Sequence, residues 1–224
     1  ISIAGIDFHI GSQIMELEPY LESLAKIITI ADDLDASGIP LKHIDIGGGL
    51  GISYEGEPII DKKVYISEII KIIGDRKLSL VIEPGRSIVG EAGLLITKII
   101  NIKESSTKSF AITDAGMNDM LRPPLYEAFH SIIEVLNKSN GKTSYDVVGP
   151  ICETADFCGK DRKLSIAQRD FRAVENVGAY GFVLSSNYNT RPKIDEYIIS
   201  NNKVNKIRKR DTIDQILENE IDFL

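Results

Sequence analysis

Three short apolar runs end at His9, Ile46 and Ile82, about 36 residues apart, and a helix-patterned segment follows each of the first two. That spacing is the repeat of successive βα units in a parallel sheet or barrel. Residues 2 to 8 read as the first strand. From Tyr20 to Ala36, Leu21, Leu24, Ile27, Ile28, Ala31 and Leu34 then fall on one helical face. Gly38 is placed to cap that helix and Pro40 bars its continuation. Lys42 to Ile46 return to strand pattern, Lys62 to Ile73 form a second helix, and Leu78 to Ile82 a third strand. Loops leaving the carboxyl ends of parallel strands build the site in such architectures, and here each of these ends carries polar or glycine-rich sequence. Three strands cannot close a barrel, which takes about eight. Ile1-Ser-Ile-Ala-Gly has neither a starting Met nor a secretory pattern, so the expectation is a cut chain with the missing strands upstream of Ile1.

From Gly93 the pattern changes. Leu94 to Ile102, Phe110 to Thr113, Ile132 to Leu136, Tyr145 to Val148 and Ala173 to Val177 are short apolar or alternating runs between Gly, Pro, Asn and Ser. They predict an antiparallel β domain. The expected division is residues 1–92 and 93–224, the second ending in a short helix capped by Asp211 and running through Leu217. Arg208-Lys-Arg reads as a solvated surface. With 43% apolar and 26% charged residues the chain has material for a core, which excludes disorder. Leu94 to Ile102 is broken by Lys98 and Asn101, far short of the roughly 20 apolar residues of a membrane span. A net charge of -7 without a basic stripe excludes nucleic acid. Cys152 and Cys158 fit neither a CxxC redox pair nor a zinc set, so no metal is expected and reduced cytosol is the simplest compartment.

The chemically capable residues cluster at turns. Gly47-Gly-Gly-Leu-Gly after a strand lets backbone N–H groups approach a phosphate, although a plain strand-to-helix turn has the same composition. His9-Ile-Gly-Ser-Gln puts an imidazole and a hydroxyl at a strand end, with a helix cap as the alternative. Glu83-Pro-Gly-Arg places a carboxylate and a guanidinium around a tight turn, used for a ligand or paired with each other. Arg122-Pro-Pro-Leu-Tyr126, Gly149-Pro-Ile-Cys-Glu153 and Gly178-Ala-Tyr-Gly181 are turn-rich loops with one or two reactive side chains each. An isolated Cys is more often a small buried hydrophobe than an acid or nucleophile.

The order of these six segments resembles that of the pyridoxal-phosphate decarboxylases with an alanine-racemase-like barrel, and most of all the diaminopimelate decarboxylases. The resemblance covers the chain from the first strand to the final helix. It implies the C-terminal part of a pyridoxal-phosphate-binding TIM-type (β/α)8 barrel followed by an antiparallel β domain. It also implies decarboxylation of meso-2,6-diaminopimelate to L-lysine. Alternatives are a relative acting on ornithine, arginine or carboxynorspermidine, or a non-catalytic regulatory homologue. Glu153 favours the first, because the resemblance places Asp there in enzymes for basic amino acids. By the same resemblance Glu83 keeps the cofactor's ring nitrogen protonated and His9 stacks on the ring. Ser12, Gly47, Gly48, Gly49, Gly85 and Arg86, with Pro84 in the same turn, hold the phosphate, and Tyr180 closes the site. Arg86, Arg122, Tyr126, Glu153 and Tyr180 meet the substrate, and Cys152 is the acid that protonates the α-carbon. The Cys152 loop reaches a neighbouring subunit's cofactor, which implies a cytoplasmic homodimer with composite sites. Cys158 matches no role. No segment resembles the motif of the lysine that holds the cofactor, and Lys26, Lys42, Lys62 and Lys63 are expected away from the site end, so this chain alone should not catalyse.

Overall fold

The computed structural model describes residues 1–136 and 141–221. They form two compact units, Ile1–Ala92 and Gly93–Leu224. In the first, β1 (Gly5–Asp7), α1 (Glu18–Ala36), β2 (His43–Asp45), α2 (Lys62–Ile73) and β3 (Ser79–Val81) are followed by a single helical turn, α3 (Arg86–Val89). The strands pair in the order β1-β2-β3, all parallel. The register aligns Gly5, His43 and Ser79 at the start and Asp7, Asp45 and Val81 at the end.

The helices follow from their sequences. Pro19 sits in the first turn of α1, where its missing N–H is no loss. Asp61 caps α2, its Oδ1 accepting from the Lys63 and Val64 amides at 2.8 and 3.0 Å. Gly38 and Gly74 follow the two helices with φ of +79° and +62°, a region side chains disfavour. Tyr20, Leu24, Ile28 and Ala31 of α1 meet Tyr65, Ile69 and Ile73 of α2 over Ile44 and Ile46. This buried stripe clamps the helices to one face of the sheet and fixes where the loops beyond its carboxyl ends emerge.

The second unit contains β4 (Leu95–Glu104), β5 (Ser109–Thr113), α4 (Arg122–Tyr126), β6 (Ile132–Glu134), β7 (Thr143–Val148), β8 (Phe157–Leu164) and β9 (Phe171–Val174). Its six strands pair in the order β6-β9-β4-β5-β7-β8. Every pairing is antiparallel except β5 with β7, which run parallel because α4 and β6 intervene between them. Leu95, Ile99, Ala111, Met120, Val147, Cys158 and Val174 fill its core. A separate hairpin, β10 (Glu196–Ser200) and β11 (Lys203–Arg208), turns through Asn201 and Asn202, both at positive φ.

The last helix, α5 (Ile213–Leu217), is capped by Thr212, not Asp211. Thr212 and Gln215 form a reciprocal capping box, while Asp211 Oδ2 accepts from Asn187 Nδ2 and the Lys193 amide, 3.2 Å each. Among the described residues no helix is long and apolar enough to cross a membrane.

Candidate functional site

The carboxyl ends of β1, β2 and β3 bring together three acidic groups of the first unit. Asp7 ends β1, Asp45 ends β2, and Glu83 lies two residues past β3; oxygens of the three lie within 4.8 Å of one another. Asp45 Oδ1 also accepts from the Gly47 amide at 2.9 Å, which starts the glycine arch. Gly47 and Gly49 have φ of +67° and +92°. A β-carbon on Gly48 would stand 2.3 Å from the Glu83 carbonyl oxygen, and one on Gly49 2.1 Å from that of Gly11. Only glycine fits this arch between the exits of β1 and β3.

Further hydrogen bonds hold it there. Glu83 N donates to Gly47 O at 2.8 Å, Gly48 N to His9 Nδ1 at 3.2 Å, and Tyr20 Oη to Gly48 O at 3.0 Å. Because His9 Nδ1 accepts, the proton of the neutral ring sits on Nε2. Tyr20 is buried, and burial, then the nearby Tyr65 phenol, push its pKa well above the usual phenol range. Its hydroxyl therefore stays a donor at any physiological pH.

Arg86 opens α3 directly after Glu83-Pro84-Gly85. Its Nη1 donates to Tyr54 Oη at 2.6 Å and its Nη2 to Ser12 Oγ at 3.1 Å. The guanidinium thus turns toward the hydroxyls of two other loops. Tyr54 was not foreseen from sequence; neither were Asp7 and Asp45 as partners of Glu83, although both fall next to the end of a strand pattern. Lys62 differs from expectation too. A helix in a βα unit starts on the side where its strand ends, and Lys62, in the first turn of α2, lines a hollow with Gly47, Gly48 and Pro84 and donates to Ser87 O at 3.3 Å.

This donor set suits a dipolar ligand. The Ser12 hydroxyl and the Arg86 guanidinium match an anion beside the arch, whose Gly47 and Gly48 amides are already given to Asp45 and His9. Three close carboxylates a few residues away match a cationic group, which relieves their mutual repulsion. A phosphate and a protonated ring nitrogen on one molecule meet both demands.

In the second unit, Arg122 and Tyr126 open and close α4. Arg122 is 7% exposed, and its Nη1 donates to His130 Nε2 at 2.7 Å. His130 Nδ1 lies 2.7 Å from Glu175 O, so Nδ1 carries the proton and Nε2 accepts. The guanidinium is thereby anchored from behind, while Tyr126 is exposed. Cys152 and Glu153 are exposed on the loop between β7 and β8. Cys158 is fully buried in the core, its thiol pushed up to about 12 by burial, with Asp156 and Asp119 adding to the shift. Tyr180 is exposed in a left-handed turn with φ +60°, a conformation an aromatic residue adopts only when its surroundings impose it.

The family model described as pyridoxal-dependent decarboxylase, C-terminal sheet domain, matches residues 14–178. The chain belongs to this decarboxylase family. It is 43% identical over 221 residues to a diaminopimelate decarboxylase of Neisseria meningitidis, covering 99% of this chain and 54% of the relative. Against that of Aquifex aeolicus it is 44% identical over 225 residues, covering 100% and 54%. The crystal structure of Helicobacter pylori diaminopimelate decarboxylase complexed with L-lysine superposes with a TM-score of 0.92 at 42% identity, covering 97% of this chain and 54% of that one. The chain spans about half the length of the curated relatives it matches.

Proposed function

We propose that this chain is the C-terminal half of a cytoplasmic, homodimeric, pyridoxal-phosphate-dependent decarboxylase that converts meso-2,6-diaminopimelate to L-lysine and CO2. The observation that carries this reading is the pairing, beside three adjacent strand ends, of anion donors (Ser12 and Arg86, next to the Gly47–Gly49 arch) with a carboxylate trio (Asp7, Asp45, Glu83). The names of the relatives support the substrate, and two free thiols support the compartment.

Pyridoxal phosphate, when bound, supplies an electron sink that lets CO2 leave an amino-acid α-carbon. The protein's residues do the rest. Glu83, with Asp45 and Asp7 beside it, keeps a ring nitrogen protonated. His9, its Nδ1 tied to the arch, offers its ring face for stacking. Ser12, the close backbone approach allowed by Gly47, Gly48 and Gly49, Gly85 and Arg86 hold the phosphate, and Pro84 fixes the turn from Glu83 to Arg86. Arg122 and Tyr126 read the distal carboxylate, Glu153 the distal ammonium, and Tyr180 closes the site. Cys152 delivers its thiol proton to the α-carbon once CO2 has left. In the homodimer the Cys152 loop serves the partner's site.

The test joins this chain to the upstream barrel half that relatives carry and measures CO2 released from meso-diaminopimelate, ornithine and arginine in turn. Release from diaminopimelate alone supports the reading. Preference for ornithine or arginine transfers the assignment to that substrate, and no release from any of them refutes a catalytic role.

A further inference from the structure

The loop from Gly149 to Asp156 carries Cys152 and Glu153 at an exposed tip, and its neck is closed by Gly149 N donating to Asp156 O at 3.1 Å. A loop of this kind needs internal bracing to present a side chain in one place. The bracing comes from one carboxylate. Asp156 is 4% exposed; its Oδ2 accepts from the Ile151 amide and its Oδ1 from the Met117 amide, 2.6 Å each. Its own amide donates to Glu153 O at 3.0 Å, and Glu153 N donates to Ile151 O at 2.8 Å. Asp156 therefore touches both neighbours of Cys152 in the chain.

The Met117 bond reaches further. Met117 belongs to the segment between β5 and α4, five residues before Arg122. The carboxylate thus joins the loop that displays Cys152 and Glu153 to the segment that leads into Arg122 and Tyr126. The fit leaves no slack: a β-carbon on Gly149 would lie 2.5 Å from Asp156 Oδ2, and one on Gly116 3.0 Å from Oδ1.

We propose that Asp156 is a positioning residue that holds the Cys152–Glu153 tip in register with Arg122 and Tyr126. The inference rests on the reading of Cys152 as the proton donor, and it assigns Asp156 no contact with the substrate. Burial pushes the Asp156 carboxyl's pKa up, and the Met117 and Ile151 amides pull it back. A buried carboxylate in this place is costly, and those two N–H bonds are what it is there to make.

Two measurements test the proposal without relying on turnover. In the unsubstituted chain, hydrogen exchange of the Met117 and Ile151 amides should be at least about tenfold slower than that of the Cys152 amide, although all three lie outside regular structure. Equal rates overturn the proposal. In Asp156→Asn, which keeps the shape but turns a donor toward one N–H, the protection of these two amides should fall about tenfold and the alkylation rate of Cys152 by iodoacetamide should change. Unchanged exchange and unchanged alkylation overturn it. In the complete enzyme Asp156→Asn should lower kcat tenfold or more and raise KM for diaminopimelate, because Glu153 moves with the tip, with the bound cofactor's absorbance little changed; its kcat loss should add nothing to that caused by Cys152→Ala. Additive losses overturn it. If Cys152→Ala alone leaves turnover intact, the proton-donor reading fails, and the exchange and alkylation results still decide whether Asp156 braces the loop.

Discussion

Adding one methyl group at Gly48 should uncouple the two parts of the candidate cofactor site. The new β-carbon would lie 2.3 Å from the Glu83 carbonyl oxygen, where real β-carbons essentially never approach below 3.0 Å, so the arch and the exit of β3 must part by about 0.7 Å. Overpacking of this order costs about 1–3 kcal/mol. The same shift stretches the bonds from Gly48 to His9 and Tyr20, each worth about 1 kcal/mol. The expected loss for Gly48→Ala is therefore about 2–4 kcal/mol. With a urea dependence of about 2 kcal/mol per molar, the unfolding midpoint of the first unit should fall by roughly 1–2 M, read by far-ultraviolet circular dichroism. Gly141→Ala is the control, because its β-carbon would meet nothing within 4 Å and it should move the midpoint little. In the complete enzyme Gly48→Ala should also weaken pyridoxal phosphate binding at least tenfold, since it moves the cradle away from Glu83. If the Gly48→Ala midpoint matches that of the control, the arch does not press on the strand end and the argument fails.

Iodoacetamide should label one thiol in the folded chain and two in 6 M guanidinium, because Cys152 is exposed while Cys158 is buried with its pKa pushed up to about 12; mass spectrometry locates the label, and rapid labelling of folded Cys158 would refute the packing. Asp119 titrates above the usual carboxylate range because burial outweighs the Gly116 amide and Arg191. A raised folded-state pKa gives stability that is full below the unfolded value near 4 and lost as pH rises through the folded value. Urea midpoints should thus gain more between pH 7 and pH 4.5 in the unsubstituted chain than in Asp119→Asn, a window that avoids the loss from Asp32, Glu57 and Asp195, whose lowered values titrate beneath it. Equal gains would count against a buried charged Asp119. Arg122→Ala should raise KM for diaminopimelate tenfold or more in the complete enzyme and lower stability by about 2–4 kcal/mol, because it removes the buried partner of His130. A loss confined to kcat at saturating substrate would remove Arg122 from substrate recognition.

Much of this fold is legible in apolar periodicity alone. The expected helix Lys62–Ile73 has the observed bounds, because its apolar face, an acidic cap and a closing glycine all agree. Strands are shorter than their apolar runs, as with residues 2 to 8 against Gly5–Asp7, because apolar character extends at the amino end beyond the residues that pair with β2. Strand β8 escapes notice because Lys160, Asp161 and Lys163 dominate it, and its inward residues are spread around an irregularity at Asp161, φ +53°. The β10–β11 hairpin did carry a signal, an Asn-Asn pair between two β-rich runs. Candidate site residues inside a motif carry a signal in their order, but Tyr54, Asp7, Asp45 and Asp156 depend on which loops face each other. No one-dimensional pattern encodes that.

The Tyr20 ring stands edge-on to Tyr65, centroids 5.0 Å apart, in the middle of the first unit's packing, while its hydroxyl touches the glycine arch. The interior packing and the candidate site are consequently joined through one phenol. A conservative swap at Leu24 or Ile69, in the same cluster, should tilt that phenol and disturb the arch before it registers as unfolding. Drift among homologues should then find these interior positions as hard to change as the arch itself.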